Sequence, residues 1–114
     1  MTDSVLRERD GAVATITINR PAARNALTAE TKDALLDALR DCSGDRSVRA
    51  VILTGAGQAF CAGQDLHEHA ELLDSGSAPL DTVTEHYNPL IATITGMPKP
   101  VIAAVNGVAA GAGA

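Results

Sequence analysis

The feature that most constrains this chain is a weak internal repeat. Arg49-Ala50-Val51-Ile52-Leu53 is echoed fifty residues later by Lys99-Pro100-Val101-Ile102-Ala103, and Ala62-Gly63 is echoed forty-eight residues later by Ala110-Gly111. Each unit reads as a short apolar strand, a Gly/Ala-rich loop and a helix start. Strands that alternate with helices predict parallel pairing through crossover connections, hence an α/β fold. At 114 residues the chain makes at most one domain.

The rest of the chain fits around that repeat. Val5–Arg9 and Ala12–Asn19 predict a hairpin about Asp10-Gly11, with Ala14, Ile16 and Ile18 on one face of the second strand. Pro21–Asn25 reads as a loop. Thr28–Cys42 predicts a helix: Thr28 is a suitable N-cap, Glu30 suits the first turn, and Leu35, Leu36, Ala38 and Leu39 form an apolar stripe. Gly44 stands where a left-handed cap commonly ends a helix. Ala50–Thr54 predicts a buried strand, Gly55–Ala59 a loop and Asp65–Leu73 a helix. Asp74–Pro79 reads as a polar loop. Asp81–Thr95 is helical in pattern with Pro89 interrupting or kinking it, Gly96–Pro100 is a breaker cluster, and Val101–Val105 predicts a second buried strand.

Composition narrows the function. Nine Lys and Arg against fourteen Asp and Glu give a net charge of −5 with no basic block, which argues against a nucleic-acid groove. The longest apolar run, Val101–Val105, is far short of a membrane span. Met1-Thr2-Asp3-Ser4 opens no signal peptide, and two cysteines make no disulfide scaffold, so the expected compartment is the cytoplasm. Aromatic side chains are scarce, whereas alanine fills 21 positions, a composition suited to close backbone approach.

Chemistry is expected at the two Gly-rich loops, at the carboxyl ends of the repeated strands, where open α/β folds bind ligands. Phe60-Cys61-Ala62-Gly63-Gln64-Asp65 and Gly107-Val108-Ala109-Ala110-Gly111-Ala112-Gly113 have two readings. They are tight turns at close-packed helix starts, or they present backbone N–H groups that converge on one developing negative charge, an oxyanion hole. Phosphate-binding motifs fit poorly: Gly55-Ala56-Gly57 lacks the third glycine of a dinucleotide fingerprint, and no Gly-Lys-Ser/Thr follows. His67, His69 and Asp65 lack the convergence a metal needs, so no metal is expected. His67, His69 and His86 read as surface residues and Cys61 as a buried thiol. Asp65 either stabilises its helix start or meets a polar ligand group. Arg20, Arg24 and Lys99 are solvated or meet an anion.

Three motifs carry a resemblance. Phe60-Cys61-Ala62-Gly63-Gln64-Asp65-Leu66, then Lys99-Pro100-Val101-Ile102-Ala103-Ala104-Val105-Asn106-Gly107, preceded by Ile18-Asn19-Arg20-Pro21 with Asn25-Ala26-Leu27, closely resemble the enoyl-CoA hydratase/isomerase (crotonase) superfamily. Within it, His86-Tyr87-Asn88-Pro89-Leu90 and Gly107–Ala114 look most like the ring-1,2-epoxyphenylacetyl-CoA isomerases of phenylacetate breakdown. The resemblance implies a spiral of β-β-α units, a trimer or hexamer, and an acyl-CoA thioester as substrate with no separate cofactor. It implies an oxyanion hole of the Gln64 and Ala112 N–H groups. Ala23, Arg24, Ala26, Ala62, Gly63, Gln64, Asp65, Leu66, Gly111 and Ala112 would line the substrate channel. Where many relatives have glycine, Ala112 adds a methyl that narrows the pocket. Family chains are about twice as long and carry their proton-moving carboxylates beyond the position of Ala114. These residues therefore read as the N-terminal part of one crotonase-like domain, truncated after the second Gly-rich loop. On that reading the parent is an isomerase working through a thioester enolate. Enoyl-CoA hydration and non-catalytic acyl-CoA binding are the alternatives, and the 114 residues alone are expected to be inactive.

Overall fold

The fifty-residue repeat is the register of a β-sheet. In a computed structural model that describes residues 3–76, 78 and 81–114, strand β3 (Ala50–Gly55) pairs in parallel with β5 (Val101–Ala103). The partners are Val51 with Val101, Ile52 with Ile102 and Leu53 with Ala103. Hairpin strands β1 (Val5–Asp10) and β2 (Val13–Ile18) complete a four-stranded sheet in the order β1-β2-β3-β5, with β2 parallel to β3. Along β2 the side chains alternate as expected: Ala14, Ile16 and Ile18 are buried, and Val13, Thr15 and Thr17 are half-buried.

Helix α1 (Ala29–Gly44) crosses between β2 and β3. Thr28 caps it, its hydroxyl accepting the Thr31 N–H at 3.2 Å. The stripe Leu35, Ala38, Leu39 and Cys42 packs on Ala14, Ile16 and Val51, together with Val48, Leu90 and Met97, as the main core. Gly44 does not make the expected left-handed cap. It is the last helical residue, and Asp45 turns away in an extended conformation. Lys99 supplies the termination instead, because its ammonium donates to the carbonyls of Cys42, Asp45 and Val48 at 2.6–2.9 Å. That satisfies orphaned carbonyls and places a cation at the negative helix end.

Two strands were hidden in the predicted loops. β4 (Ala59–Cys61) and β6 (Val108–Ala109) pair in parallel as a second, two-stranded sheet. Here Cys61 faces Ala109, which again reproduces the forty-eight-residue offset. Helix α2 is Leu66–Asp74, and of the expected loop Asp74–Pro79, Ser77 and Pro79 lie outside the described residues. Helix α3 (Asn88–Gly96) is preceded by a π-helical turn, Val83–Tyr87, in which the Asn88 N–H bonds to the Val83 carbonyl. The turn absorbs Pro89, which has no N–H to give. β5 is shorter than the expected Val101–Val105 and is not buried: Ile102 is 52% exposed and Val105 58%. Among the described residues it is the outer strand of its sheet, with no strand paired along its far edge.

Candidate active site

The site is assembled by hydrogen bonds between loops. After a 3-10 turn at Pro21–Ala23, Arg24 and Asn25 both adopt left-handed backbone conformations. Asparagine tolerates that region, and Asn25 uses its buried amide as a tie. Its oxygen accepts the Arg20 N–H at 2.8 Å, and its NH2 donates to the carbonyls of Ala56 and Ala59. The early loop then runs beside the first Gly-rich loop, with the Ala62 N–H on the Arg24 carbonyl, the Leu27 N–H on the Gly63 carbonyl and the Asp65 N–H on the Leu27 carbonyl.

The second Gly-rich loop lies on the other side. The Ala110 N–H bonds to the Cys61 carbonyl at 3.0 Å. Gly63 has φ +102, and a Cβ there would stand 2.9 Å from the Ala110 carbonyl oxygen and 3.2 Å from the Ala112 nitrogen. Glycine is therefore required by both conformation and contact. Among the described residues no acceptor engages the Gln64 N–H or the Ala112 N–H. The Gly63 carbonyl points at Leu27, so in the trans peptide it shares with Gln64 the N–H points the opposite way.

Two cavities meet at Ala112. One is an open cleft of about 530 Å³, bordered by His67 and by nine of the ten residues that the resemblance names, all but Gly63. Gly63 lies behind the wall that it allows to form. The other is an apolar cavity of about 230 Å³ between the sheets and α3, walled by side chains such as Ile18, Leu27, Phe60, Tyr87 and Ile94. Ala112 borders both.

The charged residues sort themselves. Asp65 is the N-cap of α2: one oxygen accepts the Glu68 N–H at 2.9 Å and the other pairs with Arg20 at 2.9 Å. The Glu68 N–H first, and Arg20 with it, hold its carboxyl below the usual carboxylate range against the opposing effect of burial. Arg20 and Lys99 are thus structural, whereas Arg24 is exposed on the cleft wall. Cys61 is 1% exposed, and burial pushes its thiol pKa up.

One cluster escaped the sequence reading. Lys32, on α1, is 1% exposed. Its ammonium donates to the Gln64 side-chain oxygen at 2.9 Å and to the Thr82 hydroxyl, and sits 4.5 Å over the Tyr87 ring. The Tyr87 hydroxyl donates to the same Gln64 oxygen at 2.5 Å. Lys32 was legible in principle, since it falls three and seven residues before Leu35 and Leu39, on the apolar stripe.

With this geometry in place, comparison with known proteins decides the family. A model of the enoyl-CoA hydratase/isomerase family matches residues 8–114. The chain belongs to that family. It is 44% identical to the 1,2-epoxyphenylacetyl-CoA isomerase of Escherichia coli over all of its own length and 44% of that protein's. It is 39% identical to the short-chain-enoyl-CoA hydratase of Clostridium acetobutylicum, over 97% of this chain and 42% of the relative. Among solved structures, the enoyl-CoA hydratase of Bacillus anthracis superposes with a TM-score of 0.88 at 32% identity, covering 97% of this chain and 43% of that one. The chain thus spans less than half the length of these family members, and its fold over that span is the crotonase fold.

For this member of the family the histidines divide. His67 pairs with Glu71 on the exposed face of α2, as a surface residue should. His86 does not: it is half-buried, its Nδ1 lies 2.9 Å from the Thr82 hydroxyl, and its Nε2 faces Asp33 at 3.6 Å. The π turn carries it inward beside Lys32. Among the described residues no group of His, Cys, Asp or Glu side chains is placed to hold a metal ion, and no helix is long and apolar enough to cross a membrane.

Proposed function

We propose that this chain carries the oxyanion hole of an acyl-CoA isomerase, acting on a thioester through an enolate. The observation that carries the reading is the pair of unengaged N–H donors, Gln64 and Ala112, on neighbouring loops that both line the open cleft, with Ala112 also bordering the apolar cavity. A thioester has the same division: a long polar carrier, a carbonyl oxygen and an apolar acyl group. The carrier runs along the cleft past Arg24, the acyl group enters the apolar cavity, and the oxygen meets both donors. When a base removes the proton beside the carbonyl, the electron pair moves onto that oxygen. Two donors that converge on it stabilise the charge without reorganisation.

No Asp or Glu side chain lines the apolar cavity among the described residues, and the chain spans less than half the length of its relatives; on the proposed reading a group outside residues 1–114 moves the proton. On this reading residues 1–114 are the N-terminal part of one crotonase-like domain. The Escherichia coli relative favours epoxide-ring isomerisation, whereas the Clostridium relative favours hydration of an enoyl-CoA. The test is to incubate the whole protein with an aryl epoxide acetyl-CoA and with a short enoyl-CoA. Isomerisation leaves the product mass unchanged, hydration adds one water, and binding without turnover of either would identify a non-catalytic module.

A further inference from the structure

The two backbone bonds that hold Gln64 both go to a single residue. The Gly63 carbonyl accepts the Leu27 N–H, and the Asp65 N–H donates to the Leu27 carbonyl. Two anchors on one partner define an axis, and rotation of the Gln64 peptide about it is left to other contacts to fix. The side chain supplies an anchor off that axis. Its amide oxygen accepts from both Lys32 and Tyr87, which use its two acceptor positions. These donors come from two different helical segments, α1 and the π turn, so both segments must be in place for the amide to be held.

The arrangement opposes stability locally. Lys32 is a buried ammonium with no carboxylate in ion-pair contact among the described residues, and burying a charge costs several kcal/mol unless its hydrogen bonds are excellent. A methionine there would pack the same stem without that cost. We propose that Lys32 and Tyr87 are positioning residues: by fixing the Gln64 amide they hold the Gln64 N–H on the thioester oxygen. The inference rests on the oxyanion-hole reading above. Burial also pushes the Tyr87 hydroxyl pKa up to about 12, so tyrosine stays a proton donor to Gln64 throughout the working range.

The test uses the whole protein and two variants. Tyr87→Phe removes one hydroxyl and keeps the ring under Lys32, and Lys32→Met keeps the stem and removes the ammonium. Each should lower kcat about tenfold, less than the loss of an entire oxyanion donor, with KM within about twofold. The double variant should fall short of the product of the two, because both act through one amide. The discriminating readout is the infrared stretch of a carbonyl-labelled, unreactive acyl-CoA bound to each protein. Hydrogen bonds to the oxygen lower that frequency, and both variants should move it back toward the free value while melting cooperatively.

No lowering in the parent protein would sink the oxyanion-hole reading, and the positioning role with it. A lowering in the parent that both variants retain leaves the hole intact and overturns the positioning role, whatever happens to kcat. If Lys32→Met does not fold, Tyr87→Phe alone decides.

Discussion

The Gly63 carbonyl accepts the Leu27 N–H at 2.7 Å, and this one bond orients the peptide that presents the Gln64 N–H. The orientation of the Gln64 N–H depends on Gly63 being able to make it. Its φ of +102 lies where side chains are strained, and a Cβ would press on the Ala110 carbonyl. Gly63→Ala should destabilise the fold by about 1–3 kcal/mol, the usual range for such backbone strain, and push the two loops apart. Thermal melting and turnover of the whole protein are the measurements. Parental values of both would mean that the loops do not touch.

Ala112 separates the effect of the donor from that of the wall. Ala112→Val keeps the N–H and adds bulk where the two cavities meet. On the proposed function, displacing a thioester oxygen from the two donors forfeits up to about 3 kcal/mol of barrier lowering, comparable to losing one donor. We expect a strong fall in kcat/KM with little change in melting. A valine variant with near-parental kcat and KM would count against Ala112 as part of the site.

Asp65 gives an acid-sensitive signature of the same region. Its carboxyl titrates below the usual carboxylate range because the folded state hydrogen-bonds and ion-pairs its charged form. Its contribution to stability is therefore full above the unfolded value of about 3.9, declines as pH falls below that, and is gone below the folded value. Asp65→Asn remains a good N-cap but cannot pair with Arg20. Its melting temperature should vary less with pH across that acidic window than the parent's. Identical acid profiles would show that the Arg20–Asp65 pair contributes nothing.

What the sequence disclosed and what it concealed have physical causes. The fifty-residue offset was visible because Val51 and Val101 occupy equivalent, neighbouring places in one sheet. The residues that border the open cleft lie in contiguous motifs, so the resemblance could name them together. β4 and β6 were not, since strands of three and two residues are too short to display alternation. The Lys32–Gln64–Tyr87 cluster joins positions far apart in the chain, and no local pattern encodes such a meeting. His86 was misjudged for a related reason: a π turn shifts the face that ordinary helical spacing assigns.

The two edges of the four-stranded sheet predict how residues 1–114 behave by themselves. The β1 edge carries Arg7, Glu8, Arg9 and Asp10, with Arg7 and Arg9 paired to Asp41 and Asp45. Charges of this kind discourage edge-to-edge pairing. The β5 edge is Val101-Ile102-Ala103, and beyond it Val105 and Val108 are 58% and 61% exposed. An apolar edge and an apolar surface lie next to each other, which favours association with another chain. The isolated span should therefore self-associate or melt without cooperativity. It should also turn over neither enoyl-CoA nor epoxyacyl-CoA, because donors can stabilise an enolate but cannot take up and return its proton. Light scattering, a melting curve and both assays on this span check the prediction. A monodisperse, cooperatively melting species with turnover above a no-enzyme control would show that these residues contain a proton-moving group that the geometry does not reveal.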